Sequence, residues 1–92
     1  MNPLFSAGQI VATPGCLELL NENGIPPSTL INRHIQGDFG DLCRDDIKAN
    51  RDALTTGGRI FSSYLITNRN DKIWIITEAD RSITTLLLPE EY

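Results

Sequence analysis

Three features of the chain predict an α+β fold: apolar residues at helical spacing through its first half, alternating β-branched and aromatic runs in its last third, and glycine or proline at most borders between these stretches. The expected arrangement is a two-layer domain over residues 1–92, with a short N-terminal strand, three helices and then a three-stranded antiparallel meander. At this length folding buries a little over ~60% of the unfolded surface, enough for one modest core and too little for two.

The elements follow in order. Gln9-Ile-Val-Ala-Thr13 is short and β-branched, and Thr13-Pro14 supplies an N-cap hydroxyl followed by proline at the first helical position, so a helix starts at Pro14. Cys16, Leu19 and Leu20 form its apolar face, and Gly24 ends it as the residue able to turn left-handed. Pro26-Pro27 opens a second helix, Ser28–Gln36, with Leu30, Ile31 and Ile35 on one side and Gly37 as its stop. Asp41 is placed to cap a third helix running to about Leu54, on which Cys43, Ile47, Asn50 and Leu54 share a stripe. Gly57-Gly58 stops it.

Arg59–Thr67 then alternates at period two with both faces half buried, Asn68–Asp71 forms a hairpin loop, and Lys72–Thr77, Glu78–Arg81 and Ser82–Leu88 read as strand, connection and strand. The three helices are expected to cover one face of this sheet. Trp74, Ile76, Leu86, Leu88 and Leu19 are the expected core.

Composition narrows the function classes. With 40% hydrophobic and 22% charged residues the chain reads as an ordinary soluble globular protein, and its longest apolar runs fall far short of the ~20 residues a membrane helix needs. The N-terminus lacks a basic stretch followed by an apolar core, so a cytoplasmic location is expected. Cys16 and Cys43 stand alone and are read as small buried hydrophobes rather than a disulfide or metal pair. A net charge of −4, with eight scattered Lys and Arg, disfavours direct nucleic-acid binding. No nucleotide-binding, α/β-hydrolase or zinc-protease motif occurs, and no cofactor or metal is expected.

Three polar clusters are candidate sites. Glu78-Ala-Asp80-Arg81 lies between two apolar β runs that would hold its charges at a sheet end. Paired carboxylates beside an arginine have the chemistry for a divalent cation or for acid–base work, whereas a plain β-turn would use Asp80 to accept backbone amides and Arg81 to pair with Glu78 or Asp38. His34-Ile-Gln-Gly-Asp38-Phe-Gly-Asp41 puts the single histidine near two carboxylates. That suits a general base with an orienting acid, or equally a histidine at a helix C-terminus followed by capping aspartates. Asn50 must find partners if its stripe faces the sheet; the edge of the stripe, in water, is the favoured place for it.

Gly8-Gln-Ile-Val-Ala-Thr-Pro-Gly15, the box His34-x-x-Gly37-Asp38-Phe39-Gly40-Asp41-Leu42 and the stretch Trp74-Ile-Ile-Thr-Glu-Ala-Asp-Arg-Ser-x-Thr84-Thr-x-Leu-Leu-Pro89-x-x-Tyr92 resemble a family of small bacterial proteins of plasmids and integrative elements. The resemblance covers nearly the whole chain and implies no activity; Phe39 stands where the relatives carry tryptophan. The leading expectation is therefore an accessory protein of a mobile genetic element that binds another macromolecule, a protein above all, with Asp80, Arg81, Phe39 and Asn50 as binding residues. The alternative is a small hydrolase or nuclease-like enzyme built from His34, Asp38, Glu78, Asp80 and Arg81. A homodimer joined through exposed sheet edges is a third class.

Overall fold

The structure, a computed structural model, describes residues 3–92. Strand β1 (Gln9–Ala12) leads into helix α1 (Pro14–Glu22), whose first turn is capped as the sequence predicts, with Thr13 Oγ1 accepting the Cys16 N–H. Gly24, at φ +66°, follows the helix end. Helix α2 (Pro27–Ile35) begins on its two prolines, and helix α3 (Arg44–Thr56) ends at left-handed Gly57. Strands β2 (Ile60–Leu65), β3 (Lys72–Thr77) and β4 (Ile83–Leu87) follow, and a single 3₁₀ turn spans Pro89–Glu91.

The fold is α+β, and β2, β3 and β4 pair antiparallel in chain order. The sheet nevertheless has four strands, not three, in the order β1-β4-β3-β2, with β1 parallel to β4. Parallel pairing needs a long crossover, here everything from α1 to β3, so no local signal in four residues could reveal the partner of β1.

Strand register sorts the side chains onto two faces. Ile60, Ser62 and Tyr64 of β2, Ile73, Ile75 and Thr77 of β3, and Thr84 and Leu86 of β4 share the inner face, where Cys16 and Leu20 of α1 and Leu30 and Ile31 of α2 complete the main core. Phe61, Trp74, Ile76, Thr85 and Leu87 share the outer face. This corrects the expected core: Leu86 and Ile76 are buried, but Trp74, Leu88 and Leu19 are only half buried, and Ile73 and Ile75 take the central positions in place of Trp74.

Only α1 and α2 cover the inner face. Helix α3 flanks the outer edge of β2, where Ala53 packs with Phe39 and Ile60 in a second small core. Its N-cap is Cys43 rather than Asp41, because the Asp41 N–H is already given to the Ser63 carbonyl, and Cys43 is therefore exposed instead of buried. Cys16 is buried, and its burial pushes the thiol up to about 11. Because Leu86 is fully buried in the main core, Leu86→Ala is expected to cost about 3 kcal/mol in urea unfolding, by lost transfer energy and the cavity left behind.

Candidate functional site

His34 lies on α2 with its imidazole wholly buried over the inner face. Both ring nitrogens are engaged: Nδ1 with Ser62 Oγ at 2.5 Å and Nε2 with Thr77 Oγ1 at 2.9 Å. Thr77 Oγ1 in turn meets Thr84 Oγ1 at 2.7 Å, and Thr84 Oγ1 donates to the Ala7 carbonyl at 2.7 Å. A carbonyl only accepts, so the direction follows as far as His34 Nε2, and because burial keeps the imidazole neutral at pH 7 it follows at Nδ1 as well. Thr84 spends its proton on Ala7, Thr77 donates to Thr84, His34 Nε2–H donates to Thr77, and Ser62 donates to a lone pair on Nδ1. The histidine is neutral and in one tautomer.

Asp38, the acid that the sequence set beside His34, does not orient it. Its carboxylate accepts from Arg33 Nε at 2.7 Å, which holds its pKa below the usual value, and its carbonyl accepts the Tyr64 hydroxyl. Phe5 and Phe39 pack edge-on against the imidazole instead. A serine hydroxyl on an imidazole nitrogen resembles a nucleophile and its base, but Ser62 and His34 are both sealed from solvent, so this chain of hydroxyls is a structural pin between α2, β2, β3, β4 and the segment before β1.

Burial also pushes the His34 pKa down to about 4 from 6.5. The unfolded chain then binds a proton between pH 6.5 and about 4 that the folded chain refuses. Stability therefore falls as pH is lowered through this window, by about 3 kcal/mol in all. Urea midpoints measured from pH 7 to pH 4 should show this fall, and His34→Gln should flatten it.

The charged turn serves the backbone. Asp80 Oδ1 accepts from the Ser82 N–H at 3.0 Å and from the Ser82 hydroxyl at 2.6 Å, and these bonds lower its pKa. Arg81 stands at φ +61° and pairs with neither Glu78 nor Asp38 through a carboxylate. Its guanidinium donates to the carbonyls of Gly58 at 2.6 Å, Ala53 at 3.1 Å and Glu78 at 3.2 Å, tying the turn to the C-terminus of α3, where exposed carbonyls favour a cation. Glu78 pairs with Arg59 at 3.5 Å. Among the described residues, no side chain of His34, Asp38, Glu78, Asp80 and Arg81 bonds to the side chain of another, and no group of three or more His, Cys, Asp or Glu is arranged to hold a metal.

Asn50 is buried, contrary to the favoured placement in water. Its amide meets the edge of β2 as a strand would, Nδ2 donating to the Phe61 carbonyl at 2.6 Å and Oδ1 accepting the Phe61 N–H at 2.9 Å. Two residues on, Ser63 N–H donates to the Phe39 carbonyl, and Phe39 itself is buried in the second core.

The outer face holds what the sequence reading missed. Arg59, Phe61, Trp74, Ile76 and Tyr92 line a groove of about 240 Å³. Phe61 stands edge-on to Trp74 at 5.1 Å, Tyr92 packs on Trp74 at 5.9 Å, and Arg59 Nη1 reaches the Tyr92 hydroxyl at 3.3 Å. Glu91 anchors this segment by accepting from the Thr13 hydroxyl and the Leu88 N–H. The available signal was the apolar register of Phe61, Trp74 and Ile76 on the face opposite the one the helices cover. No helix among the described residues is long and apolar enough to cross a membrane. Comparison of the chain with protein-family models, curated proteins and solved structures finds no match.

Proposed function

We propose that this chain is a non-catalytic binding module that docks a partner protein on the outer face of its sheet, and that it serves as an accessory protein of a mobile genetic element. The observation that carries the docking reading is the groove lined by Arg59, Phe61, Trp74, Ile76 and Tyr92, an aromatic concavity with one guanidinium at its rim. Apolar walls with few polar groups are the usual make-up of a recognition site, and aromatic and arginine side chains dominate interface energetics. Tyr92 indicates the kind of group that fits: a flat ring against Trp74 carrying an oxygen toward Arg59. The mobile-element setting rests on the three motif stretches quoted above.

Four variants test the docking surface against the charged turn. Arg59→Glu and Phe61→Ala are expected to abolish capture of the partner from a host lysate while the protein stays folded by circular dichroism. Asp80→Ala and Arg81→Ala are expected to lower the melting temperature, since both remove bonds that hold the β3–β4 turn, and to retain capture at temperatures where they are folded. Retained capture by folded Arg59→Glu and Phe61→Ala would overturn the groove as the site.

A further inference from the structure

The two edges of the sheet are treated oppositely. At β2 the outward N–H and C=O of Phe61 are taken by Asn50, the Ser63 N–H by the Phe39 carbonyl at 3.1 Å, and the Ser63 carbonyl by the Asp41 N–H at 2.6 Å. At β1 nothing comparable is present among the described residues. Gln9 and Thr13 donate to the carbonyls of Ser82 and Leu86 in β4, so by alternation the N–H and C=O of Ile10 and Ala12 face away from the sheet. Natural sheets protect such an edge with lysine, proline or a bulge, and Gln9–Ala12 has none of them.

The apolar surface converges on the same edge. Of the seven exposed large hydrophobic side chains among the described residues, Ile10 (49% exposed) and Val11 (38%) lie on β1, Ile83 (38%) is paired with Gln9 on β4, and Leu17 (46%) is one turn into the helix that β1 enters. Charge selects the occupant. No charged side chain precedes Glu18, although the whole chain carries a net −4. Two acidic copies repel each other, and along Gln9–Ala12 they meet with no charged side chain on either strand, the carboxylates of Asp80 on Ser82 and of Glu91 on Thr13 standing only beside its two ends.

We propose that the β1 edge pairs antiparallel with the same edge of a second copy of this chain, forming a two-fold dimer with one continuous sheet. With Val11 facing its mate across the axis, Ile10 of each protomer lies opposite Ala12 of the other, and each such pair exchanges both of its outward backbone bonds. Ile10 then flanks the seam on the helix side, and Val11 and Ile83 on the outer side. This dimer is independent of the partner docking proposed above.

Analytical ultracentrifugation of the full chain, with amide hydrogen exchange at single residues, tests it. The wild type is expected to sediment as a dimer, with the Ile10 and Ala12 amides exchanging at least tenfold more slowly than in the monomeric Ile10→Lys variant, and the Val11 amide, which faces β4, protected in both. Val11→Glu, which places a carboxylate on the outer side of the seam, is expected to be monomeric as well, with wild-type circular dichroism confirming that it is folded. A wild type that is monomeric throughout the micromolar to millimolar range overturns the proposal. So does a dimer in which the Ile10 and Ala12 amides exchange freely, or one that persists in both folded variants.

Discussion

His34→Ala is expected to lower the unfolding free energy by about 4–6 kcal/mol, a large share of the ~5–15 kcal/mol available to a domain. Two costs add. Removing a fully buried ring leaves a cavity that packed neighbours fill only in part, and the direction of the hydroxyl chain fixes what is orphaned. Ser62 loses the acceptor for its proton, whereas Thr77 loses a donor but still gives its own proton to Thr84. His34→Gln, whose amide can still donate through its NH₂ and accept through its oxygen, should recover part of the loss. Guanidinium unfolding of the three proteins measures both steps, and a loss below about 1 kcal/mol in the alanine variant would show that the hydroxyl chain is not a structural pin.

Gly40→Ala is expected to cost about 4 kcal/mol. Gly40 adopts φ +75°, a conformation that costs an L-residue about 1–2 kcal/mol, and a Cβ there would run into the Ser63 carbonyl oxygen and the Tyr64 ring. The collision forces Phe39–Asp41 away from β2 and breaks the two backbone bonds at Ser63. Gly57→Ala is the control: φ is +86° there and, beyond the adjoining backbone, nothing lies within 4 Å of the added carbon, so the conformational cost stands alone. A difference between the two variants below about 1 kcal/mol in urea unfolding would mean that the close approach at Ser63 contributes little.

Local chemistry made much of this fold legible. Thr13-Pro14, Pro26-Pro27, Gly24 and Gly57 carry their own conformational reasons, and three helices and the meander follow from them and from apolar spacing. The partner of β1 was not legible, because its register with β4 is set by contacts 74 residues apart. The choice between the faces of β3 was not legible either: Ile73, Trp74, Ile75 and Ile76 are apolar on both sides, and only the position of α1 and α2 decides that Trp74 faces out.

The charged residues are of the types that catalytic groups use, yet Arg81 is spent on carbonyls that no sequence motif announces. A better signal for His34 lay in the inner register of β2 and β3, where Ser62 and Thr77 interrupt otherwise apolar rows. A buried hydroxyl must be matched, and the single histidine of the chain matches two of them.

Asn50 gives the molecule a particular route of failure. Helix α3 buries little besides Ala53 and this amide, so it is the element least held by the main core and the first expected to open locally. When it opens, Asn50 withdraws from Phe61, and β2 presents free backbone groups of its own. A molecule with one adhesive edge stops at a pair, but one with two can add copies without end. With β1 paired as proposed above, the melting of a single polar helix separates a closed assembly from a growing fibre.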